Sequence, residues 1–109
     1  MSRLAWILAA GALALAAPAA AQTADGQAVF AKWCAPCHAP GPGHPGTQSL
    51  EAKYKGAKPG PLQARTDLTP DVVRFYVRHG VSIMPFFRKT EITDAELDAL
   101  GAYLARQKR

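Results

Sequence analysis

Apolar residues recur at helical spacing in three stretches of this chain, and nowhere do they alternate as a half-buried strand would. The first stretch runs from about Thr23 to Pro36, with Ala28, Val29, Phe30 and Trp33 supplying its apolar side. The second is sharply punctuated. Thr69 is a good N-cap, Pro70 suits the first helical position, Asp71 the first turn and Gly80 the stop, with Val72, Val73, Tyr76 and Val77 between them. The third opens on Thr93-Asp94-Ala95-Glu96, a capping-box pattern, and carries Leu97, Leu100, Tyr103 and Leu104 on one side. Its last residues, Arg106, Lys108 and Arg109, are cations that suit a helix C-terminus. Between the first two stretches, Ala39 to Leu68 holds five prolines and five glycines, and only Ser49 to Tyr54 reads as a short helix. So long a weakly periodic segment inside a compact domain usually serves a function. The pattern predicts an all-α domain of three main helices and wrapping loops.

Ahead of these elements the composition changes. Met1-Ser2-Arg3 is a short cationic start, Leu4 to Ala17 is a run of 14 residues without charge, and Pro18 precedes the small residues Ala19-Ala20-Ala21. That order is the signature of a secretory leader, and the run falls short of the roughly 20 apolar residues a bilayer span requires. Residues 1–21 are therefore expected to be a signal peptide cleaved after Ala21, and 22–109 a single domain without stable membrane insertion. A bacterial periplasm is the expected compartment. Of the 109 residues 49% are hydrophobic, and the leader holds a disproportionate share of them. The small domain that remains would gain from an outside contributor to its core. The 13 Lys and Arg against 8 acids, 12 once Arg3 is removed, are spread along the chain. This excludes a nucleic-acid reading, and suits solubility and steering toward an acidic protein partner.

The candidate chemistry lies in Cys34-Ala35-Pro36-Cys37-His38, which holds both cysteines of the chain. A thioredoxin-like thiol-disulfide oxidoreductase using Cys34 and Cys37 is one reading, yet such a site follows a strand, and the residues upstream here are helical. Zinc is another, but it wants a closed tetrahedron, and neither His38 nor His44 has a zinc-finger spacing. Covalent attachment of haem c explains every residue of the motif. Two thiols separated by two residues reach the two vinyl groups on one porphyrin edge, and the next residue supplies an imidazole beneath the ring. With Met1 removed, Met84 is the sole methionine, in Gly80-Val81-Ser82-Ile83-Met84-Pro85 between a helix stop and the third helix. Pro85 biases it to an extended backbone, so its thioether is the expected second axial ligand, with His44 and His79 as alternatives. His38 and Met84 are thus the expected metal ligands, and one covalent haem c the expected cofactor.

With these residues the chain resembles the small monohaem class I c-type cytochromes over nearly all of residues 22–109. That family pairs its terminal helices through a glycine and an aromatic on one and a leucine and an aromatic on the other, as Gly26 with Phe30 and Leu100 with Tyr103 would do here. The resemblance implies the cytochrome c fold wrapped around one haem. It also implies a proline carbonyl holding the other N–H of the haem histidine, for which Pro45 is the candidate and Pro42 the substitute. Tyr76 to Phe87 is similar to the cytochrome subunits of flavocytochromes such as p-cresol methylhydroxylase. Arg78, with Arg74, is a candidate to face the haem propionates. The implied function is single-electron transfer without catalysis. Electrons would pass from a flavoprotein or quinoprotein dehydrogenase to an oxidase or another cytochrome, and the chain would be a mobile carrier or a subunit of a flavocytochrome. A haem-based sensor module remains as a rival reading.

Overall fold

The computed structural model describes residues 11–14 and 24–106. The leader expected over 1–21 lies outside the described residues apart from 11–14, as do Lys108 and Arg109. The described chain is all-α. It consists of α1 (Gly26–Val29), a π-helical turn (Phe30–Cys34), α2 (Ala35–His38), α3 (Pro45–Tyr54), a short 3-10 turn (Leu62–Ala64), α4 (Pro70–His79) and α5 (Asp94–Ala105). Among the described residues no strand forms, and the β-type pairing is confined to a bridge between Val81 and Met84.

The first three stretches form one continuous helical run. Asp25 caps it, its carboxylate accepting from Gln27 N at 3.0 Å and Ala28 N at 3.4 Å, which satisfies two of the amides a helix start leaves unpaired. In the wide turn that follows, Ala35 N donates to the Phe30 carbonyl five residues back. The run ends at His38, beyond the expected stop at Pro36. Proline falls there in the first turn of α2, where its missing N–H is tolerated.

α1 and α5 cross at backbone contact. A β-carbon on Gly26 would lie 2.1 Å from the Ala99 carbonyl oxygen, so only glycine permits this approach. Phe30 and Tyr103 pack beside the crossing with ring centroids 6.0 Å apart, and Leu100 is wholly buried, the pairing that the resemblance implied for Gly26 with Phe30 and Leu100 with Tyr103. α4 packs on α5 through Val73 and Val77, with Gly101 against Pro70. Val29, Leu68, Ile92, Leu97 and Leu104 complete the core. Both bonds of the Thr93/Glu96 capping box form, at 2.8 and 3.2 Å.

The Pro/Gly-rich segment is more ordered than its periodicity implies. α3 starts at Pro45, four residues before the predicted short helix. Beyond it, the buried Arg65 guanidinium grips Asp67 through two bonds of 2.6 and 2.7 Å and lies 5.1 Å from the Tyr54 ring centroid. That grip, with Lys58 on the same carboxylate, holds the Asp67 carboxyl far below the usual carboxylate range. Gln63 ties the segment to α5 by donating to the Tyr103 hydroxyl at 2.7 Å.

Candidate haem site

Cys34, Cys37 and His38 sit together at the end of the first helical run. Cys34 is half-buried against the core and Cys37 is exposed, neither in a disulfide. Burial, and then the neighbouring Cys37, push the Cys34 thiol up to about 12. A thiol-disulfide enzyme needs its attacking cysteine shifted the other way, so this environment speaks against the thioredoxin-like reading. Among the described residues no three His, Cys, Asp or Glu side chains gather as a zinc site requires.

After His38 the chain doubles back through Gly41 (φ 98°) and Gly43 (φ 82°), conformations that favour glycine, and residues 44–47 come to lie across the end of the motif. His44 Nδ1 donates to the Pro36 carbonyl at 2.9 Å. Thr47, 1% exposed, donates its hydroxyl to the Ala39 carbonyl at 2.8 Å. These two carbonyls bracket His38. Between them Gly46 backs directly onto the imidazole, where an added β-carbon would fall 2.6 Å from His38 Cε1 and 2.8 Å from Nδ1. Residues 44–47 form a strap that fixes the ring.

Burial lowers the His38 pKa and so favours the neutral imidazole that binds a metal ion. Its Nδ1 is buried and has no hydrogen-bond partner among the described residues. Neither Pro45 nor Pro42 therefore accepts its proton in this structure. Pro45 is the first residue of α3, and its carbonyl points down the helix axis toward the next turn. An orphaned buried ring nitrogen is uncommon in folded proteins and calls for an explanation. Ligation through Nε2 would fix the tautomer but would not by itself satisfy this atom: it makes Nδ1 an N–H donor, which a metal-bound imidazole ordinarily directs to a carbonyl, carboxylate or water.

Met84 lies in a tight turn. Val81 N donates to the Met84 carbonyl at 3.1 Å and Met84 N to the Val81 carbonyl at 2.9 Å, with Ser82 at φ 53° between them. Gly80, at φ 68°, ends α4, and a β-carbon there would fall 2.5 Å from the Met84 carbonyl oxygen. Its lack of a side chain thus serves the turn as well as the helix stop. Around Met84 the apolar Val81, Ile83 and Phe86 are exposed, a surface that water disfavours and an apolar ring would cover. The motif and the methionine turn meet through Trp33 and Phe87, whose rings lie edge to face at 5.8 Å. The donor set and its apolar surroundings fit a haem.

Other expected residues are placed differently. Arg78 donates to the Phe87 and Ile92 carbonyls at 3.1 and 2.9 Å and to Asp94 at 2.9 Å; Arg74 is paired with Asp71 and Asp98. Both guanidinium groups expected near propionates are committed to protein oxygens. His79 donates through Nδ1 to the Phe75 carbonyl and stacks on the Phe75 ring at 4.4 Å. His44 is spent on the strap. Gly46 and Thr47 went unnoticed in the sequence, where a glycine and a threonine after a proline carry no particular signal.

Residues 21–104 match the protein family described as cytochrome C oxidase, cbb3-type, subunit III. No curated protein and no solved structure shows a comparable match. The match takes in the motif, the strap, the methionine turn and almost all of α5. It implies covalently bound haem c and redox protein partners. By fold, motif and family the chain is a small c-type cytochrome, a haem-based electron carrier belonging to the cytochrome c family of that description.

Proposed function

We propose that this chain holds one haem c through Cys34 and Cys37, with His38 and Met84 as its axial ligands, and carries single electrons between proteins outside the cytoplasm. The contact between Trp33 and Phe87 carries the reading, because it joins the attachment motif to the turn that holds the only methionine after Met1. When bound, the haem supplies a one-electron iron couple. Cys34 and Cys37 would hold the haem as thioethers, and neither would then remain as a free nucleophile. His38 offers Nε2 while the strap holds its ring. Met84 offers its thioether from a turn whose backbone is fixed by two hydrogen bonds. His38 and Met84 together would leave the iron no open position for a substrate, and His/Met ligation would raise the potential into a range suited to accepting electrons from a dehydrogenase.

The secretory pattern of residues 1–21 supports a periplasmic location for the mature protein. No helix among the described residues is long and apolar enough to cross a membrane. The likeness of Tyr76–Phe87 to alkylphenol-oxidising flavocytochromes favours a flavoprotein donor, and a family described by an oxidase subunit favours an oxidase as acceptor. Redox encounters of this kind bury little surface, and the basic side chains then act on the rate of association.

The test is spectroscopic. Purified protein should carry the mass of one haem, and when oxidised it should show the weak near-infrared sulfur-to-iron band. Met84→Ala should abolish that band and leave the mass unchanged. A colourless exported protein with two titratable thiols would overturn haem attachment. Persistence of the band in Met84→Ala would overturn the methionine ligand.

A further inference from the structure

We propose that Arg78 is a positioning residue for the Met84 ligand, a latch that holds the mouth of its loop shut. The inference rests on the ligand reading above. All three acceptors of the Arg78 guanidinium, the Phe87 and Ile92 carbonyls and the Asp94 carboxylate, lie downstream of Met84. Arg78 itself lies upstream, in the last turn of α4 just before Gly80. One side chain thus ties the returning strand of the loop to the helix from which the outgoing strand departs. The backbone adds a parallel tie, because Phe87 N donates to the Val77 carbonyl at 2.7 Å. Both polar backbone groups of Phe87 are thereby anchored on α4, and the intervening residues 80–86 can move only as a short closed loop.

Arg74, one helical turn earlier, shows that position on the helix alone does not create this role. Its partners Asp71 and Asp98 are exposed carboxylates, and pairs of that sort contribute little. Arg78 is mostly shielded and reaches the carbonyl of Ile92, a fully buried residue. The planar fork of a guanidinium spans such divergent acceptors, and the single ammonium of lysine does not.

The experiment measures how fast added imidazole displaces the methionine in oxidised holoprotein, followed by loss of the near-infrared band. Arg78→Ala should exchange about tenfold faster than wild type, as loss of charge-assisted hydrogen bonds implies. Arg78→Lys should not restore the wild-type rate, and Asp94→Asn, which takes the charge from one of the three acceptors but leaves an oxygen to accept, should fall between. Arg74→Ala should stay within about twofold of wild type even where it lowers the thermal midpoint. If Arg78→Ala does not accumulate, Arg78→Lys and Asp94→Asn decide the matter. Wild-type exchange rates in the Arg78 and Asp94 variants overturn the latch, as does equal acceleration by Arg74→Ala. A wild-type protein lacking the band overturns the methionine ligand itself, and the latch with it.

Discussion

The two sides of the site are built on different principles. On the histidine side everything is local. Two thiols and an imidazole share one helix end, and the strap that fixes them follows within ten residues, its His44 and Thr47 bonds each spanning eight positions. On the side of the proposed methionine ligand, Met84 sits on a loop that, beyond its own Val81–Met84 turn, is restrained by α4 and by residues 87–94. The first side is anchored by chain connectivity, and under the proposed chemistry by covalent bonds as well. The second depends on tertiary contacts. Regions held in this way open at lower cost than the core they rest on, so the methionine should be the ligand that exchanges while the histidine stays in place.

Breaking the attachment should have the largest effect. Cys34→Ala with Cys37→Ala is expected to yield almost no exported holoprotein by mass spectrometry, whereas Met84→Ala should still carry haem. Equal haem content in the two variants would erase the contrast. Next come the two glycines. Gly46→Ala drives a methyl group into the His38 ring, and overpacking of this kind costs about 1–3 kcal/mol. Denaturant unfolding should show the loss, and the ligand-field signature of the iron should change with the ring orientation. Gly80→Ala collides with the Met84 carbonyl and strains a left-handed residue, again at about 1–3 kcal/mol, but here the near-infrared band should weaken while haem content holds. A smaller effect is expected from Thr47→Val, which leaves the Ala39 carbonyl without its donor and should destabilise by about 0.5–1.5 kcal/mol, the net worth of one such hydrogen bond.

The smallest effect concerns pH. Lys89 and then Arg78 hold the exposed Asp94 carboxyl below its usual value, which is about 4 in an unfolded chain. A depressed folded value contributes stability above pH ~4 that is lost as pH falls through it. Asp94→Asn should therefore show a slightly shallower acid-unfolding profile than wild type. An identical profile would mean that this pair contributes nothing measurable.

Those elements whose signals are local were legible in the sequence. Thr69, Pro70 and Gly80 bound α4 as predicted, and Thr93 with Glu96 opens α5, because caps act on amides only a few residues away. The Gly26 crossing joins residues far apart in the chain, and it was the resemblance to class I c-type cytochromes, not a local signal, that implied it. α3 was read too short because Pro45, Gly46 and Thr47 are weak helix formers, and contacts with the motif override their propensity. The propionate role considered for Arg78 and the carbonyl role considered for Pro45 were out of reach in another way. A sequence shows that an arginine is present but not which oxygens it finds, and it does not reveal that a proline will open a helix and so commit its carbonyl.

The wide turn at Phe30–Cys34 sets a phase. A regular helix advances about 100° per residue, and a single π turn is equivalent to one extra residue slipped into that rhythm. Gly26 and Phe30 can therefore stay clasped to α5 while the cysteines and His38 look out along a bearing more than a quarter-revolution away. Removing Ala31 or Lys32 would preserve Cys34, Cys37 and His38 as chemical groups and swing all three to a different bearing from the one they now share.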